Sequence, residues 1–108
     1  MDLIFSNSYK ALKPGGVFGI VEHRAIPGTS MEVMKKSGYV TEELAIKTAE
    51  KHGFKFVAKS EINANPKDTK DHPRGVWTLP PSYRLKEKDK EKYKNIGESD
   101  RMTLLFKK

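Results

Sequence analysis

The sequence contains no cysteine, so it can form neither a disulfide nor a thiolate metal site. It also lacks any uninterrupted run of about 18 apolar residues, the length that a membrane-spanning helix needs, and it shows no secretory signal pattern. The 108 residues are only 36% hydrophobic, with a mean hydropathy of -0.69, which is enough for one small core. We therefore expect a single soluble domain without membrane contact, with the cytoplasm as its favoured compartment.

Two kinds of ligand-binding pattern are also missing. No Gly-x-Gly-x-x-Gly motif occurs, and the only paired glycines, Gly15 and Gly16, precede a predicted strand, whereas a cofactor-binding glycine loop follows one. The polar stretch Asn63 to His72 contains Asn, Asp and His side chains, but their spacing matches neither a zinc nor a calcium site. We predict a solvated loop there and no metal site.

Acidic residues are fewer than basic ones, and the net charge of +7 raises the question of an anionic partner. Many of the basic residues lie between Arg84 and Lys94, where Glu87, Asp89 and Glu91 separate them. Mixed charges at this density are typical of a solvated helix or loop. The aromatic residues do not line up with the basic ones, and no nucleic-acid-binding module is recognisable, so we do not expect a nucleic-acid partner.

The clearest local pattern is a turn followed by an apolar strand. Pro14 disfavours helix and the two glycines after it permit positive φ angles, so a preceding helix must stop there. The run Val17 to Val21 has no polar alternation, which predicts a strand covered on both faces. Three polar residues, Glu22, His23 and Arg24, then stand at the carboxyl end of that strand, where ligands bind in open α/β sheets.

These motifs resemble a known family. The segment Leu12 to Gly16 and the strand after it are similar to the passage between the fourth helix and the fifth strand of class I S-adenosylmethionine-dependent methyltransferases. Val17 to Ala25, Leu79 to Pro81 and Gly97 to Arg101 resemble a bacterial family of predicted methyltransferases. The resemblance covers nearly the whole chain, as the carboxyl-terminal half of that fold.

The resemblance implies an α/β architecture: a three-layer, Rossmann-like methyltransferase fragment whose mixed sheet has an antiparallel last strand. The predicted strands are Val17 to Val21, Phe54 to Ile62 and Arg101 to Phe106, with the last one in the middle. A small α+β domain with hairpin pairing is the alternative. In the methyltransferase interpretation, residues 1–108 form one partial domain that lacks the glycine-rich, cofactor-binding first half.

The resemblance also implies a catalytic role for the polar triplet that ends the first strand. We expect His23 to act as general base, because its unperturbed pKa is near neutrality. Glu22 would orient His23 or a substrate amine, and Arg24 would hold an anionic group. In the alternative interpretation, Glu22 and Arg24 form ion pairs with each other or with neighbouring loops.

The family as a whole uses S-adenosylmethionine and transfers its methyl group to an acceptor, which the sequence does not identify. The glycine loop that grips this cofactor is not in the chain, so we expect no cofactor binding and no activity from the 108 residues alone. The competing hypothesis is a non-catalytic interaction module or a truncated paralogue. Its sheet edge at Val17 to Val21 carries neither proline nor lysine, and we expect a homodimer through that edge.

The remaining segments receive local predictions. A helix over Asp2 to Leu12 would bury Phe5 and Leu12. A second helix, capped by Thr41 and stopped by Gly53, would bury a stripe of Leu44, Ala45, Thr48, Ala49 and His52. Between them we predict a loop over Ala25 to Tyr39 with one helical turn around Met31 to Lys36. Trp77 and Leu79 would pin an extended segment to the domain, and the lysine-rich stretch Lys86 to Lys94 would form a short exposed helix that ends near Asn95 to Gly97.

Overall fold

The structure, a computed structural model, describes residues 2–108. Within them the elements are α1 (Asp2–Ala11), β1 (Val17–His23), α2 (Met31–Ser37), α3 (Glu42–Lys51), β2 (Lys55–Ser60), a short 3-10 helix (Gly75–Thr78), α4 (Lys90–Ile96) and β3 (Arg101–Lys107). They form a small mixed α/β fold with four helices and one three-stranded sheet. No helix within these residues is long and apolar enough to cross a membrane.

The last strand lies in the middle of the sheet. β3 pairs with β1 on one side and with β2 on the other, and it runs antiparallel to both. β1 and β2 therefore point in the same direction without pairing with each other. The predicted position and direction of the closing strand are both confirmed.

Helices cover only one face of this sheet. The face that carries Phe18, Ile20 and Phe106 packs against α1 and α3. On the opposite face, Val17, Val21 and Leu105 are 60%, 53% and 37% exposed. Among residues 2–108 the predicted three-layer arrangement, with Val17 to Val21 covered on both faces, is therefore wrong. The reason is that α2 packs against the 3-10 helix and α4 buries its tyrosine beside His72, so neither forms a second helical layer.

Aromatic rings fill the space between the sheet and the helices. The Phe5 ring centroid lies 5.9 Å from that of Phe18, 6.2 Å from that of Phe54 and 5.9 Å from that of Phe106, in edge-to-face contacts. Such pairs add about 0.5–1.5 kcal/mol each beyond the burial of their area. The predicted burial of Phe5 is confirmed, and Leu12 is partly buried against the same cluster.

A bulge changes which side chains of β2 share a face. Phe56 pairs with Phe106 and Ala58 with Leu105, so Val57 is an extra residue between two consecutive positions of β3. One inserted residue moves every later side chain to the other face. Ala58 therefore lies on the open face with Leu105, not on the helix face with Phe56 as the alternation predicts. Lys59 takes the place on the helix side, where its Nζ is 3.2 Å from Glu42 Oε2.

The helical turn that was predicted around Met31 to Lys36 is present as α2. Ser30 Oγ accepts a hydrogen bond from the Val33 N–H at 3.3 Å and so caps its start. Gly38 ends it with φ 79°, a left-handed conformation that suits glycine. Met34 is buried and Met31 is half exposed, so Met34 fills a gap beneath the loop.

The lysine-rich helix starts later in the chain than predicted. α4 spans Lys90–Ile96, and Asp89 just before it has φ 52°. The predicted end near Asn95 to Gly97 agrees with the observed end at Ile96, whereas the predicted start at Lys86 is too early, because Lys86 and Asp89 have positive φ angles that interrupt a helix. The Tyr93 ring is buried and makes an edge-to-face contact with His72 at 5.6 Å.

The second predicted helix is present as α3. Its buried residues are Ala45, Thr48 and Ala49, whereas Leu44 and His52 from the predicted stripe are only partly buried. Gly53 follows with φ 100°, and a Cβ at this position would lie 2.8 Å from the Tyr9 ring. Close packing of α1 onto the end of α3 therefore requires glycine there.

The cap of α3 provides a stability test. Thr41 is buried, and its Oγ1 accepts a hydrogen bond from the Leu44 N–H at 3.1 Å. We expect Thr41→Ala to lower the free energy of unfolding by about 1 kcal/mol, because the amide loses its partner. Thr41→Ser keeps the hydroxyl and should lose less. Urea unfolding followed by circular dichroism measures both, and equal losses would contradict the capping role.

Candidate functional site

The carboxyl end of β1 meets three loops. Because β3 is antiparallel to β1, the residues that precede β3 arrive beside the last residues of β1, and the Arg24 N–H donates to the Asp100 carbonyl at 2.9 Å. On the other side of β1, Val40 pairs with this strand end: its N–H donates to the His23 carbonyl, and it accepts from the Ala25 N–H, both at 2.8 Å. The loop before β3 and the segment before α3 therefore fix the position of the polar triplet.

Arg24 lies in a ring of carboxylates. Its guanidinium forms a bidentate pair with Asp100, with two bonds of 2.9 Å, and it also donates to Glu42 at 2.7 Å and to Glu61 at 2.8 Å. These hydrogen bonds, with those from Asp100 first, raise the pKa of Arg24 well above its usual range. A guanidinium with three carboxylate partners has no vacancy for an anionic substrate. The geometry matches the ion-pair alternative for Arg24 and not the anion-holding role.

Asp100 is the buried partner in this ring. Burial opposes its charged form, but hydrogen bonds from Arg24, from Lys70 at 2.8 Å and from the Asn65 N–H at 2.7 Å outweigh burial and hold its pKa well below the usual range. Asp100 therefore remains ionised and ties β1, β3 and the loop after β2 together.

Glu22 and His23 point to opposite faces of β1, as neighbouring residues in a strand must. Glu22 Oε1 accepts a hydrogen bond from the His23 backbone N–H at 2.9 Å. Its side chain borders a groove with Ile4, Ile20 and Val40. The structure does not bring the carboxylate to the His23 imidazole, so Glu22 steadies the strand end without orienting that ring.

The partner of the His23 ring is Ser99. Nδ1 of His23 lies 2.5 Å from Ser99 Oγ, and Ser99 is buried. If Nδ1–H donates to the hydroxyl, the lone pair on Nε2 is free to accept a proton, which is the state that a general base requires. The imidazole also contacts the Tyr39 ring edge-on, with 6.4 Å between centroids. Serine and tyrosine together fix the orientation of the ring.

His23 and Ser99 border a cleft of about 180 Å³. Its remaining walls come from the 3-10 helix and the segments around it: Val76, Trp77, Pro80, Pro81, Ser82 and Glu98. Leu79 is fully buried and anchors this segment, as predicted, whereas Trp77 is 40% exposed and forms a wall. The prediction that both residues serve as anchors is therefore correct only for Leu79.

A buried carboxylate lies behind this cleft. Asp68 accepts hydrogen bonds from the Tyr39 hydroxyl at 2.8 Å, from His72 Nε2 at 2.8 Å and from the Asp100 N–H at 2.9 Å. Burial, followed by the bond to Asp68, raises the pKa of Tyr39 well above its usual range. The predicted solvated loop over Asn63 to His72 is therefore wrong at Asp68 and His72, whose side chains are buried. Within residues 2–108, no group of three His, Asp or Glu side chains is placed so that it could hold a metal ion.

Sequence reasoning missed three residues here: Asp68, Ser99 and Asp100. The signal for the last two was available, because an antiparallel strand must begin where β1 ends. Ser99 and Asp100 stand immediately before β3 and therefore had to lie next to His23 and Arg24. No comparable signal marks Asp68, since its burial depends on contacts with Tyr39 and His72, which lie in separate loops.

Comparison with protein-family models, curated proteins and solved structures gives no match. The resemblance to methyltransferases therefore rests on the sequence motifs alone.

Proposed function

We propose that the chain forms the carboxyl-terminal half of a class I S-adenosylmethionine-dependent methyltransferase and supplies the methyl-acceptor side of its active site. The observation that supports this proposal best is the arrangement of the sheet. An antiparallel β3 lies between two strands that point the same way, as the resemblance implies for the end of that fold. The chain order of α1, β1, α3 and β2 also agrees with it.

In this proposal His23 accepts the proton of the methyl acceptor through Nε2. Ser99 holds the imidazole by its Nδ1, and the cleft beside them receives the acceptor group. Glu22 and Arg24 act indirectly: Glu22 through the backbone of His23, and Arg24 through the ion pairs that fix the strand end. Both are therefore positioning residues.

The residues described here do not fit the cofactor itself. The paired glycines form a turn before β1, in which the Gly16 N–H donates to the Lys13 carbonyl at 2.8 Å, and they lie at the opposite end of β1 from His23. A loop that cradles a cofactor follows a strand and opens onto its carboxyl end. The proposal therefore places the cofactor-binding half outside these 108 residues.

Reading the DNA upstream of the Met1 codon tests this division. We expect an in-frame strand followed by a glycine-rich loop, and we expect the extended polypeptide to bind S-adenosylmethionine in calorimetry while the 108-residue chain does not. Micromolar binding by the 108 residues alone would contradict the proposal. An in-frame stop codon upstream, with no strand and glycine-rich loop encoded between it and the Met1 codon, would also contradict it.

In the extended polypeptide, His23→Ala should reduce methyl transfer by about 100-fold or more while leaving cofactor binding intact, because proton transfer typically contributes at least that factor. The transfer of the radiolabelled methyl group from the cofactor to a panel of candidate acceptors measures this reduction. His52→Ala is the matched control, since His52 contacts Asp2 at the far end of α3. Full activity of the His23 variant would remove the residue from the mechanism.

A second candidate is an interaction module that associates through the open edge of β1. The observation in its favour is the exposed apolar surface beside that edge: Val17 and Val21 are 60% and 53% exposed, and Ile4 of α1, which borders a groove with Ile20 and Val21, is 62% exposed. Isolated apolar side chains on a surface are common, but a group next to an unpaired strand marks an association site.

A further inference from the structure

A second cleft, on α2 and the 3-10 helix, is strongly basic. It has a volume of about 370 Å³, and its walls are Lys36, Pro73, Arg74, Trp77 and Arg84. Three of these five side chains are cationic, and none of the five is acidic. Trp77 is the only tryptophan of the chain. We refer to these five residues as the basic cleft.

The backbone holds the basic cleft in one shape. The Arg84 N–H donates to the Trp77 carbonyl at 2.8 Å, and the Arg74 N–H donates to Thr78 Oγ1 at 2.9 Å. Gly38, which ends α2, lies directly under the indole: a Cβ at this position would be 3.0 Å from Trp77 Cη2. This close approach positions Lys36, in the last turn of α2, beside the ring. Local hydrogen bonds and packing therefore fix the backbone from which Arg74, Arg84 and Lys36 extend, before any ligand arrives.

The positive charge of the basic cleft is not neutralised by the protein. Within residues 2–108, the guanidinium groups of Arg74 and Arg84 form no salt bridge, and Lys36 makes only a 3.5 Å contact with Glu32, a pair in which both side chains are almost fully exposed. Such a surface pair contributes little. Arg24, in contrast, has three carboxylate partners. Arg74 and Arg84 are thus available to an external anion.

We propose that the basic cleft binds a small phosphorylated heteroaromatic compound, of which a nucleoside monophosphate is the simplest example. Two guanidinium forks and an ammonium group match the charge and the oxygens of a phosphate better than those of a single carboxylate. The exposed indole offers a face on which a flat base stacks. A phosphate site needs no indole, and a stacking site needs no cluster of cations. The presence of both in one cleft therefore points to a ligand with a phosphate and a ring.

The size and surroundings of the basic cleft favour a monomeric ligand over a nucleic-acid strand. A strand would need a continuous basic track with several stacking rings, whereas this cleft has one indole. The chain that leaves it after Arg84 carries Glu87, Asp89 and Glu91 between its lysines, so it offers no uninterrupted basic track for further phosphates. Binding of such a ligand in the basic cleft does not depend on methyl transfer. Trp77 also borders the His23–Ser99 cleft, so a ligand in the basic cleft would lie next to that site.

Because Trp77 is the only tryptophan, its fluorescence reports without any label on ligands in the basic cleft or in the adjoining His23–Ser99 cleft, and the arginine variants below distinguish the two. We expect adenosine 5′-monophosphate to quench it saturably at low ionic strength. Adenosine lacks the phosphate and inorganic phosphate lacks the ring, so each should bind at least about tenfold more weakly. Added salt should weaken the binding of the monophosphate, since exposed charges are screened.

The decisive variant is Arg74→Gln combined with Arg84→Gln, which should weaken binding by about tenfold or more. The matched control is Lys35→Gln combined with Lys94→Gln, which changes the net charge equally at exposed positions outside the cleft and should leave the affinity unchanged. Absence of saturable quenching up to millimolar monophosphate, or equal affinity in the two double variants, would overturn the proposal. Tighter binding of a single-stranded oligonucleotide per phosphate than of the monophosphate would also overturn it, in favour of a nucleic-acid partner.

Discussion

Replacement of Asp100 by alanine is expected to lower the free energy of unfolding by about 3–5 kcal/mol, the range measured when one partner of a buried ion pair is removed. The change eliminates both hydrogen bonds of the bidentate pair with Arg24 and leaves Lys70 Nζ and the Asn65 N–H without their acceptor. The Arg24 and Lys70 side chains are only 15% and 16% exposed, so water replaces the lost carboxylate poorly.

Urea unfolding of the 108-residue chain measures this effect. Glu61→Gln is the matched control, because Glu61 pairs with the same guanidinium but is 55% exposed, and it should cost less than about 1 kcal/mol. If the unfolding of Asp100→Ala is no longer cooperative, the double variant Lys70→Met with Asp100→Ala should recover part of the stability, since it removes the buried cation that the single change leaves without its carboxylate. Equal stability of Asp100→Ala and Glu61→Gln would show that the buried pair does not hold the fold.

The same carboxylate gives the direction of the pH dependence. Because the pKa of Asp100 is lower in the folded state than its ordinary value of 3.8, its contribution is fully present above that value and is lost as the pH falls below about 4. The wild-type chain should therefore lose stability on acidification more steeply than Asp100→Asn, which carries no titrating group at this position.

The strand order was predictable from the sequence, and the reason is local. The Pro-Gly-Gly turn, the apolar run after it, the cap at Thr41 and the alternation in the last strand each depend on neighbouring residues, and together they locate the three strands. The bulge at Val57 was not predictable, because an inserted residue leaves the apolar–polar alternation of the sequence unchanged.

The candidate site was only half predictable for a related reason. The place of His23 and Arg24 at the end of β1 follows from the length of the apolar run, but their chemical states depend on partners far along the chain. Ser99 and Asp100 stand 76 residues after His23 and Arg24, respectively. Arg24 alone suggests an anion receptor. Because Asp100, Glu42 and Glu61 surround it, the same side chain instead forms ion pairs that hold the end of β1 in place.

The direction of individual backbone groups shows which part of β1 forms an open edge. The Arg24 N–H points toward β3, whereas the carbonyl of His23 points away from it and is paired with Val40. Since backbone direction alternates along a strand, the N–H groups of Gly19 and Val21 also point away from β3. Val40 covers only the carboxyl end of this edge, so the part from Val17 to Val21 has no strand beside it among residues 2–108.

We expect the 108-residue chain to form a homodimer in which the edge from Val17 to Val21 pairs antiparallel with the same edge of a second copy. Val21→Lys should shift the chain toward the monomer, because a lysine on an edge opposes strand pairing. Val57→Lys is the matched control: Val57 is 52% exposed and Val21 is 53% exposed, but Val57 lies on β2, away from that edge.

Sedimentation equilibrium at high micromolar concentration measures both variants against the wild type, whose mass should be about twice 12.3 kDa. A wild-type monomer, or an equal loss of dimer in the two variants, would contradict pairing through this edge. The extended polypeptide separates this prediction from the methyltransferase proposal. In that polypeptide a fourth strand would pair with the edge of β1. The longer chain should therefore not dimerise through β1, and Val21→Lys should not change its mass, while the 108-residue chain still dimerises. An extended polypeptide that dimerises and responds to Val21→Lys in the same way would favour the interaction module over the half-enzyme.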